Sequence, residues 1–332
     1  MLKTLSNQHL SLILAISSAA LTSFGIVYYF QRKRKSPKRF IEVGSVSEIL
    51  IYPVKSCRGI SLDSAMCSLR GLKWGPLRDR KWMMINEKDR FVSARQEPKM
   101  ALIVPSLSDD NQELILSTEG IEPIKIPANA NVSQRLICTT IWNTDICGYE
   151  CGKVAEEWLS KIFRYQGYKL VVHEDSLEGR KLADDPKWKP KSLYKDESLY
   201  SDLTQYLVIS ESSLDDLNKR LDEPVTMKNF RPNIVVKGCK AFAEDNWTEI
   251  KIGGAHLYRT HLCGRCRMTL VNPETGVMAH AEPLKTLREY RMVDKSHPDS
   301  KAFGVHPVFG SNFNMVEVGN IRVGDKVYAV IE

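Results

Sequence analysis

The stretch YRTHLCGRCRMT, residues 258–269, carries two cysteines, Cys263 and Cys266, on either side of Gly264 and Arg265. Positive charge from Arg265 and from the arginine that follows the pair favours the thiolate over the thiol. The pair is followed by RMTLV and then by NPETG, which predicts a strand over residues 268–271 and a turn after it. We therefore expect the two thiols to lie in a β-sheet context.

The spacing of this pair leaves several chemistries open. Structural zinc needs four ligands, usually from two such pairs, and the other close pair, Cys147 and Cys151, has a looser spacing. A thioredoxin-like pair would begin a helix in a βαβ unit, which the following sequence does not predict. The pair could also be two ordinary cysteines in a β-core. The last alternative is that one of the two cysteines, as a thiolate, is a ligand of a soft, high-valent metal. Most of the other ligands of that metal would then come from a cofactor and not from the protein.

The rest of the sequence after residue 39 also predicts a β-rich fold. Residues 152–163 and 210–221 predict helices, the second with a serine-rich start and an acidic first turn. β-branched and aromatic segments predict strands over residues 46–54, 81–86, 90–94, 101–105, 113–117, 135–142, 168–172, 206–209, 233–236, 247–252 and 256–259, and a strand pair within 321–331. Short strands with few helices indicate a mostly β, α+β fold built from barrels or sandwiches.

Length and cysteine content narrow the class of protein. The chain has 332 residues, enough for about two ordinary domains. Its eight cysteines are few and irregularly spaced, which predicts a reducing compartment and mostly buried, free thiols.

Positive charge is concentrated at the N-terminus. Residues 1–39 hold seven Lys and Arg and no Asp or Glu, so they carry the whole net charge of +7 and the remaining 293 residues are neutral overall. A neutral body argues against a general nucleic-acid-binding protein. Residues 10–30 are uncharged and long enough for a transmembrane helix, and the basic residues after them predict a body that faces the cytosol. The alternative is a cleaved signal or transit peptide, which would carry its charge before a shorter apolar stretch.

Three other segments carry groups suited to an anionic ligand. Lys55 and Ser56 follow a predicted strand, Arg80 precedes the strand predicted over residues 81–86, and Arg231 lies between two amides, one of them Asn233. Guanidinium groups bind phosphate in a forked geometry, and amides suit the edge of a heteroaromatic ring. Taken singly, each has an ordinary alternative as a solvated strand end, a surface ion pair or a turn.

Together, six motifs resemble the molybdenum cofactor sulfurase C-terminal (MOSC) family, in the same order along the chain. They are YPVKSC (52–57), LRDR (77–80), ARQEP (94–98), NFRPN (229–233), CGRC (263–266) and FG (309–310). The resemblance implies an N-terminal β-rich MOSC domain over residues 44–173, packed on a MOSC β-barrel over residues 185–331. An anchor and basic tether over residues 1–39 would precede them.

The resemblance further implies a molybdenum–molybdopterin cofactor at the junction of the two domains. Cys266 would be the catalytic residue, as the protein ligand of the metal, and Cys263 has no assured role. The residues implied to bind the pterin and its phosphate are Lys55, Ser56, Arg80, Thr204, Arg231, Asn233, Gly264 and Arg265.

The implied activity is the reduction of amidoximes, hydroxylamines and N-oxides to amidines or amines at a metal that alternates between Mo(VI) and Mo(IV). Electrons would come from NADH through cytochrome b5 reductase and cytochrome b5, which an anchor in the same membrane would keep close. Of the membranes that such an anchor suits, the resemblance favours the mitochondrial outer membrane over the endoplasmic reticulum. The alternatives are a carrier of cofactor or sulfur and a membrane-tethered binding module without turnover.

Overall fold

Short strands make up most of the secondary structure in the computed structural model, which describes residues 38–129, 134–184 and 196–332. In chain order they are β1 (Ile41–Ile51), β2 (Ile60–Leu62), β3 (Ser64–Ser68), β4 (Gly71–Trp74), β5 (Leu77–Arg78), β6 (Trp82–Ile85), β7 (Val104–Leu107), β8 (Glu113–Thr118), β9 (Ile121–Pro127), β10 (Leu136–Ile141), β11 (Thr144–Glu150), β12 (Lys169–Val172), β13 (Arg180–Lys181), β14 (Glu197–Ser198), β15 (Tyr206–Ser210), β16 (Ile234–Lys237), β17 (Trp247–Ile252), β18 (Ala255–Gly264), β19 (Val308–Glu317), β20 (Gly319–Arg322) and β21 (Lys326–Ile331). The α-helices of these ranges are α1 (Lys153–Phe163), α2 (Glu211–Asn218), α3 (Met227–Phe230), α4 (Leu284–Tyr290) and α5 (Ser300–Phe303). Short 3-10 helices lie at Pro98–Leu102, Leu182–Asp184, Ala243–Asn246 and Arg267–Leu270. The predicted mostly β fold with few helices is confirmed.

The predicted N-terminal transmembrane helix, residues 10–30, lies outside the described residues. Of the anchor and tether predicted over residues 1–39, Lys38 and Arg39 are described. Within the described ranges, none of the helices combines the length and the apolar character that crossing a bilayer requires.

Seven strands close into a barrel. They are hydrogen-bonded in the order β16, β15, β19, β18, β17, β21 and β1, and β1 pairs again with β16. Neighbouring strands are antiparallel except β15 and β16, which run parallel. β2 extends the sheet from β1. These strands contribute fully buried apolar side chains to the core, among them Ile49, Ile250, Leu257, Phe313 and Val327.

β1 closes the barrel because its two halves pair with different strands. The first half pairs with β21, with Ile41 opposite Ala329, and the second half pairs with β16, with Ile49 opposite Ile234. The register shifts within both ladders, and such bulges bend a strand and increase its twist. Residues 52–57, part of the predicted site, directly follow β1, so the seam of the barrel fixes where this loop begins.

The remaining strands form smaller sheets, in the orders β10-β11-β12-β6, β20-β3-β4-β5, β7-β8-β9 and β13-β14. β20, near the C-terminus, pairs with β3, and β1, near the N-terminus, completes the barrel. Both ends of Phe40–Glu332 therefore contribute to shared sheets, and this range forms one compact unit. The domain limits 44–173 and 185–331 stay predictions.

Both predicted helices are confirmed, as α1 and α2. α1 turns Trp158 into the core, where its Nε1 donates to the Glu122 carbonyl at 2.8 Å. Val154, which the helical pattern assigns to the same apolar stripe, is 61% exposed. Ser210 caps α2, because its hydroxyl accepts a hydrogen bond from the Ser213 N–H at 3.2 Å.

Three predicted elements differ from the structure. The strand predicted over residues 90–94 is wrong, since this segment forms a single β-bridge, from Phe91 to Ile85, and then turns. The strand predicted over residues 268–271 is wrong, since most of this segment belongs to a 3-10 helix that starts directly after Cys266. The Thr269 N–H returns to the Cys266 carbonyl at 3.1 Å, which turns the chain instead of extending it. The two strands expected within 321–331 exist as β20 and β21, but they pair with other strands and not with each other.

Candidate cofactor-binding site

Lys55 lies in the loop that follows β1, and its side chain is buried. Its backbone N–H donates to the Trp82 carbonyl at 2.8 Å, which fixes the loop against β6. Its Nζ donates to the Tyr200 carbonyl at 2.8 Å and forms an ion pair with Asp202 at 2.6 Å. Burial lowers the pKa of Lys55 to about 8, against the charge of Asp202, which raises it. Lys55 is therefore a buried cation that depends on nearby negative charge.

Arg80 and Arg231 both stack on Tyr52, each with its Cζ 4.3 Å from the ring centre. Arg80 comes from the turn between β5 and β6 and pairs with Asp79, while Arg231 directly follows α3. Arg80 Nη2 also donates to the Arg231 carbonyl at 3.4 Å. Burial, together with the charge of Arg80, lowers the pKa of Arg231 to about 10. Two partly buried guanidinium groups held close together indicate a site for an anion.

Two buried polar atoms beside these arginines have no hydrogen-bond partner in the part of the chain that the structure describes. They are Arg231 Nη2 and the hydroxyl of Tyr52. Burial raises the pKa of Tyr52 to about 12, so its hydroxyl keeps its proton at neutral pH. Buried donors are almost always hydrogen-bonded, and a free donor on a buried cation is costly. The two atoms therefore fit a ligand that is anionic and accepts hydrogen bonds.

Ser56, Arg80 and Arg231 share a left-handed backbone conformation, with φ values of 69°, 50° and 57°. This conformation costs a residue other than glycine on the order of 1–3 kcal/mol and is concentrated at ligand-binding sites. Three of the residues predicted to bind the cofactor thus have a strained backbone, and three separate segments supply them. The strained backbone positions therefore occur in the same part of the fold as the partly buried arginines.

Asn233 joins these segments from the interior, where its side chain is buried. Its Nδ2 donates to the Leu50 carbonyl at 3.2 Å and to Asp79 Oδ1 at 3.0 Å. Its Oδ1 accepts from the Leu207 N–H at 3.2 Å and from Arg80 Nη1 at 3.5 Å. Asn233 therefore positions Asp79 and Arg80, and its direct contact with a cofactor stays a prediction.

Thr204 belongs to a buried hydrogen-bonded chain on the barrel side of the site. Its Oγ1 lies 3.0 Å from Asn312 Oδ1 and 3.2 Å from the Tyr206 carbonyl, both of which accept. The Asn312 amide in turn lies 3.2 Å from His261 Nε2. The hydroxyl proton of Thr204 is thus used within the protein, which leaves its oxygen as the group for a ligand.

β18 delivers the cysteine pair, and the surroundings of the two thiols differ. Cys266 is partly exposed, and its Sγ accepts a hydrogen bond from Arg95 Nη1 at 3.5 Å. Cys263 packs against an apolar cluster, and burial raises the pKa of its thiol. Gly264, between them, is exposed and lies opposite Val308 of β19. Both thiols are partly exposed, and Cys266 is the one of the pair whose sulfur accepts a hydrogen bond from Arg95.

The arginines next to the pair direct their hydrogen bonds to other groups. Arg265 donates from Nε and Nη2 to the Phe309 carbonyl, at 2.8 and 2.6 Å, and from Nη1 to the Phe230 carbonyl at 3.0 Å. Its backbone N–H donates to the Pro307 carbonyl at 2.8 Å. Arg267 is exposed and lies against a methionine sulfur. Arg265 therefore braces the loop after α3 against β19, and its contact with a cofactor stays a prediction.

Sequence reasoning missed Arg95 and Asp202 as members of the site. Arg95 lies within the motif ARQEP, so that motif was the available signal, whereas Asp202 lies in a loop without a pattern. Desolvation by the surrounding protein raises the pKa of Asp202, but the charges of Lys55 and Arg95 lower it by more, so the net shift is downward. The side chain of Asp202 stays 52% exposed. It is an ionised group on which three cations act, namely Lys55, Arg95 and Arg180.

The expectation of free, mostly buried cysteines is wrong in part. Cys138 and Cys147 lie opposite each other on β10 and β11 and form a disulfide. Facing positions on adjacent antiparallel strands bring the two Cβ atoms within bonding reach, which a separation of nine residues does not reveal. Cys147 is therefore not available to pair with Cys151. Of the six free cysteines of the described ranges, two are fully buried, Cys57 and Cys67.

The structure defines a closed β-barrel protein with a group of partly buried cations and a partly exposed thiol, an arrangement that suits an anionic ligand. Residues 43–166 match the model of the MOSC N-terminal beta barrel domain, and residues 195–328 match that of the MOSC domain. The chain belongs to the MOSC-domain family.

Several curated relatives are similar over most of their length. The human mitochondrial amidoxime-reducing component 1 is 41% identical over 290 residues, which cover 86% of this chain and 83% of the relative. The mouse component 1 is 39% identical over 309 residues, or 93% and 89% of the two chains. The rat mitochondrial amidoxime reducing component 2 is 37% identical over 320 residues, or 94% and 91%.

Proposed function

We propose that this protein is a molybdenum-cofactor-dependent reductase that converts amidoximes, hydroxylamines and N-oxides to amidines or amines. Membership of the MOSC family and the names of its relatives support this reaction class. The observation that carries the proposal is the partly buried pair Arg80 and Arg231, because the buried Nη2 of Arg231 has no hydrogen-bond partner among the described residues and suits an anionic ligand. The partly exposed thiol of Cys266 adds a ligand for a soft metal.

Some residues of the site would bind the metal, and others would bind the anionic groups of the cofactor. When bound, the molybdenum cofactor would supply the two-electron chemistry that removes oxygen from nitrogen. Cys266 would hold the metal through Sγ, and Arg95 would stabilise negative charge on that sulfur. Lys55, Arg80 and Arg231 would bind the anionic groups of the cofactor. The other proposed contacts are Ser56, Thr204, Asn233, Gly264 and Arg265.

The electrons would come from NADH through cytochrome b5 reductase and cytochrome b5. In the balanced reaction an amidoxime, NADH and a proton give an amidine, NAD⁺ and water. We propose that residues 10–30 anchor the chain in the mitochondrial outer membrane with the body in the cytosol, and the word "mitochondrial" in the names of its relatives supports that membrane. Protease added to intact mitochondria should therefore digest the body, and protection of the body would contradict this topology.

The test of the activity uses the purified full chain. Molybdenum and pterin are quantified per polypeptide, and benzamidine is then measured after addition of benzamidoxime, NADH, cytochrome b5 and its reductase. We expect about one molybdenum and one pterin per chain, together with steady turnover. Cys266→Ser should lose turnover by at least about a hundredfold while it keeps the pterin, because the cationic contacts remain. Cys263→Ser is the matched control and should stay active.

Each contrary result identifies a different alternative. A protein that holds molybdenum and pterin but gives no benzamidine with the complete electron-transfer chain is a cofactor carrier. A protein that holds neither is a tethered binding module. Turnover that persists in Cys266→Ser assigns the metal ligand to another residue.

A further inference from the structure

Trp142 occupies a strained position at the tip of a hairpin. It connects β10 to β11 together with Asn143, and its φ of 57° lies in the left-handed region. This region is unusual for a bulky residue, and the asparagine beside it tolerates it better. The indole is nonetheless 48% exposed to solvent. A large apolar side chain held exposed on a strained backbone needs a reason beyond packing.

The contacts of this indole lead directly to the site. Arg95 lies over the ring, with Cζ 4.7 Å from its centre, and the same guanidinium donates to Cys266 Sγ at 3.5 Å. Phe91 meets the indole edge-on at 5.8 Å, and Lys55 Nζ lies 5.5 Å from the centre of the Phe91 ring. Arg95 therefore lies between Trp142 and Cys266, the proposed metal ligand. Phe91 lies between Trp142 and Lys55, a proposed cofactor contact.

The hairpin that carries Trp142 is fixed to the loop that carries Asp202. Arg180 Nη1 donates to Thr144 Oγ1 at 3.1 Å, and Arg180 Nη2 donates to the Ser201 carbonyl at 2.5 Å. The Tyr200 hydroxyl donates to the Cys147 carbonyl at 3.2 Å. The disulfide of Cys147 crosses the same hairpin. The hairpin that carries the indole is therefore held in place by these hydrogen bonds and by the disulfide.

We propose that Trp142, backed by Arg95, is a specificity-determining residue that stacks on planar aromatic N-hydroxylated substrates as they approach the Cys266 side of the site. The inference rests on the proposed function and specifies the substrates that this site favours. Arg95 covers one face of the indole, and the exposed remainder offers a surface on which an aromatic ring can stack. A small aliphatic hydroxylamine has no ring and gains nothing from this surface.

The first experiment compares two substrates on the full chain loaded with cofactor. For wild type and variants, kcat/KM for benzamidoxime is divided by kcat/KM for N-methylhydroxylamine. Trp142→Ala should lower this ratio about tenfold, mainly through the KM for benzamidoxime, and Trp142→Phe should keep most of it. Trp74→Ala is the matched control, because Trp74 is 36% exposed on β4 in another sheet, and its ratio should not change. An equal loss with both substrates in Trp142→Ala would overturn the proposal, since Trp142 would then act only by supporting Arg95.

The second experiment needs no turnover and separates this inference from the proposed function. Benzamidoxime binding to the full chain is measured by calorimetry without an electron donor. Trp142→Ala should bind about tenfold more weakly than wild type and Trp74→Ala equally well. Equal binding by wild type and Trp142→Ala, or no binding by wild type, would overturn the stacking role. Binding that depends on Trp142 in a protein that never reduces benzamidoxime would support this role and overturn the proposed function.

Discussion

Arg95 Nη1 donates a hydrogen bond to Cys266 Sγ at 3.5 Å across 171 residues of sequence. A guanidinium group in this position stabilises negative charge on sulfur, and a charged sulfur is the reactive form. In the cofactor-free protein, Arg95→Met should therefore slow the alkylation of Cys266 by iodoacetamide several-fold, measured by mass spectrometry of the labelled peptide. Arg90→Met, an exposed arginine of the same segment, should not change the rate. Equal rates in the two variants would mean that the contact leaves the sulfur unaffected.

The pKa of Lys55 predicts how anion binding depends on pH. At pH values below its pKa of about 8, Lys55 already carries its positive charge in the free protein. At higher pH, Lys55 has to take up a proton when an anion binds, which weakens the binding. The affinity of the cofactor-free protein for sulfate, which does not titrate in this range, should therefore fall about fivefold between pH 8 and 9 and approach about tenfold per pH unit above that. Lys55→Arg keeps its charge and should give a flat profile, measured by calorimetry. A flat profile in the wild type would contradict the assignment of Lys55 to the anion site.

We expect Arg265 to contribute more to the stability of the fold than to cofactor binding. It is buried and satisfies the carbonyl groups of Phe309 and Phe230. Arg265→Met leaves both carbonyls without these donors and should lower the free energy of unfolding by about 2–4 kcal/mol, measured by urea denaturation. Arg267→Met removes an exposed charge and should change it by less than about 0.5 kcal/mol. Unchanged stability together with lost pterin in Arg265→Met would assign Arg265 a direct contact instead.

The disulfide between Cys138 and Cys147 should stabilise the hairpin that carries Trp142. Closing a loop of this size contributes about 2–3 kcal/mol by restricting the unfolded chain. A thiol reductant should therefore lower the melting temperature of the wild type but leave a variant with Cys138→Ser and Cys147→Ser unchanged. Mass spectrometry of alkylated peptides should find both thiols blocked before reduction. Two free thiols in the native protein would refute the pairing.

The sequence predicted the members of the site better than their arrangement. The motifs named Lys55, Arg80 and Arg231, and the fold brings their segments together around Tyr52. The sequence assigned the positive partner of Cys266 to the neighbouring arginines, but Arg265 donates its hydrogen bonds to backbone carbonyls, and the distant Arg95 donates to the Cys266 sulfur. Which donors a guanidinium uses depends on tertiary packing, and no local pattern records it.

The same limit explains one of the strands that periodicity missed. β19 is buried along most of its length, so it lacks the alternation of apolar and polar residues that marks a half-exposed strand. Ser311, Asn312 and Asn314 are buried within it and look like loop residues in the sequence. The Ser311 hydroxyl donates to the Glu244 carbonyl at 2.9 Å, and Asn314 accepts from the Gln205 N–H at 3.3 Å. Only the folded barrel supplies these partners.

The pairing of β1 with β21 also sets the order of events during synthesis. β1 is among the first segments of the body to leave the ribosome, but its partner, residues 326–331, emerges more than 270 residues later. The half of β1 that precedes the loop of Lys55 pairs with β16, which is made earlier, whereas the first half of β1 has to wait for β21. The barrel can therefore close only after synthesis of the chain is almost complete, and a nascent chain that stalls before β21 should keep an open seam.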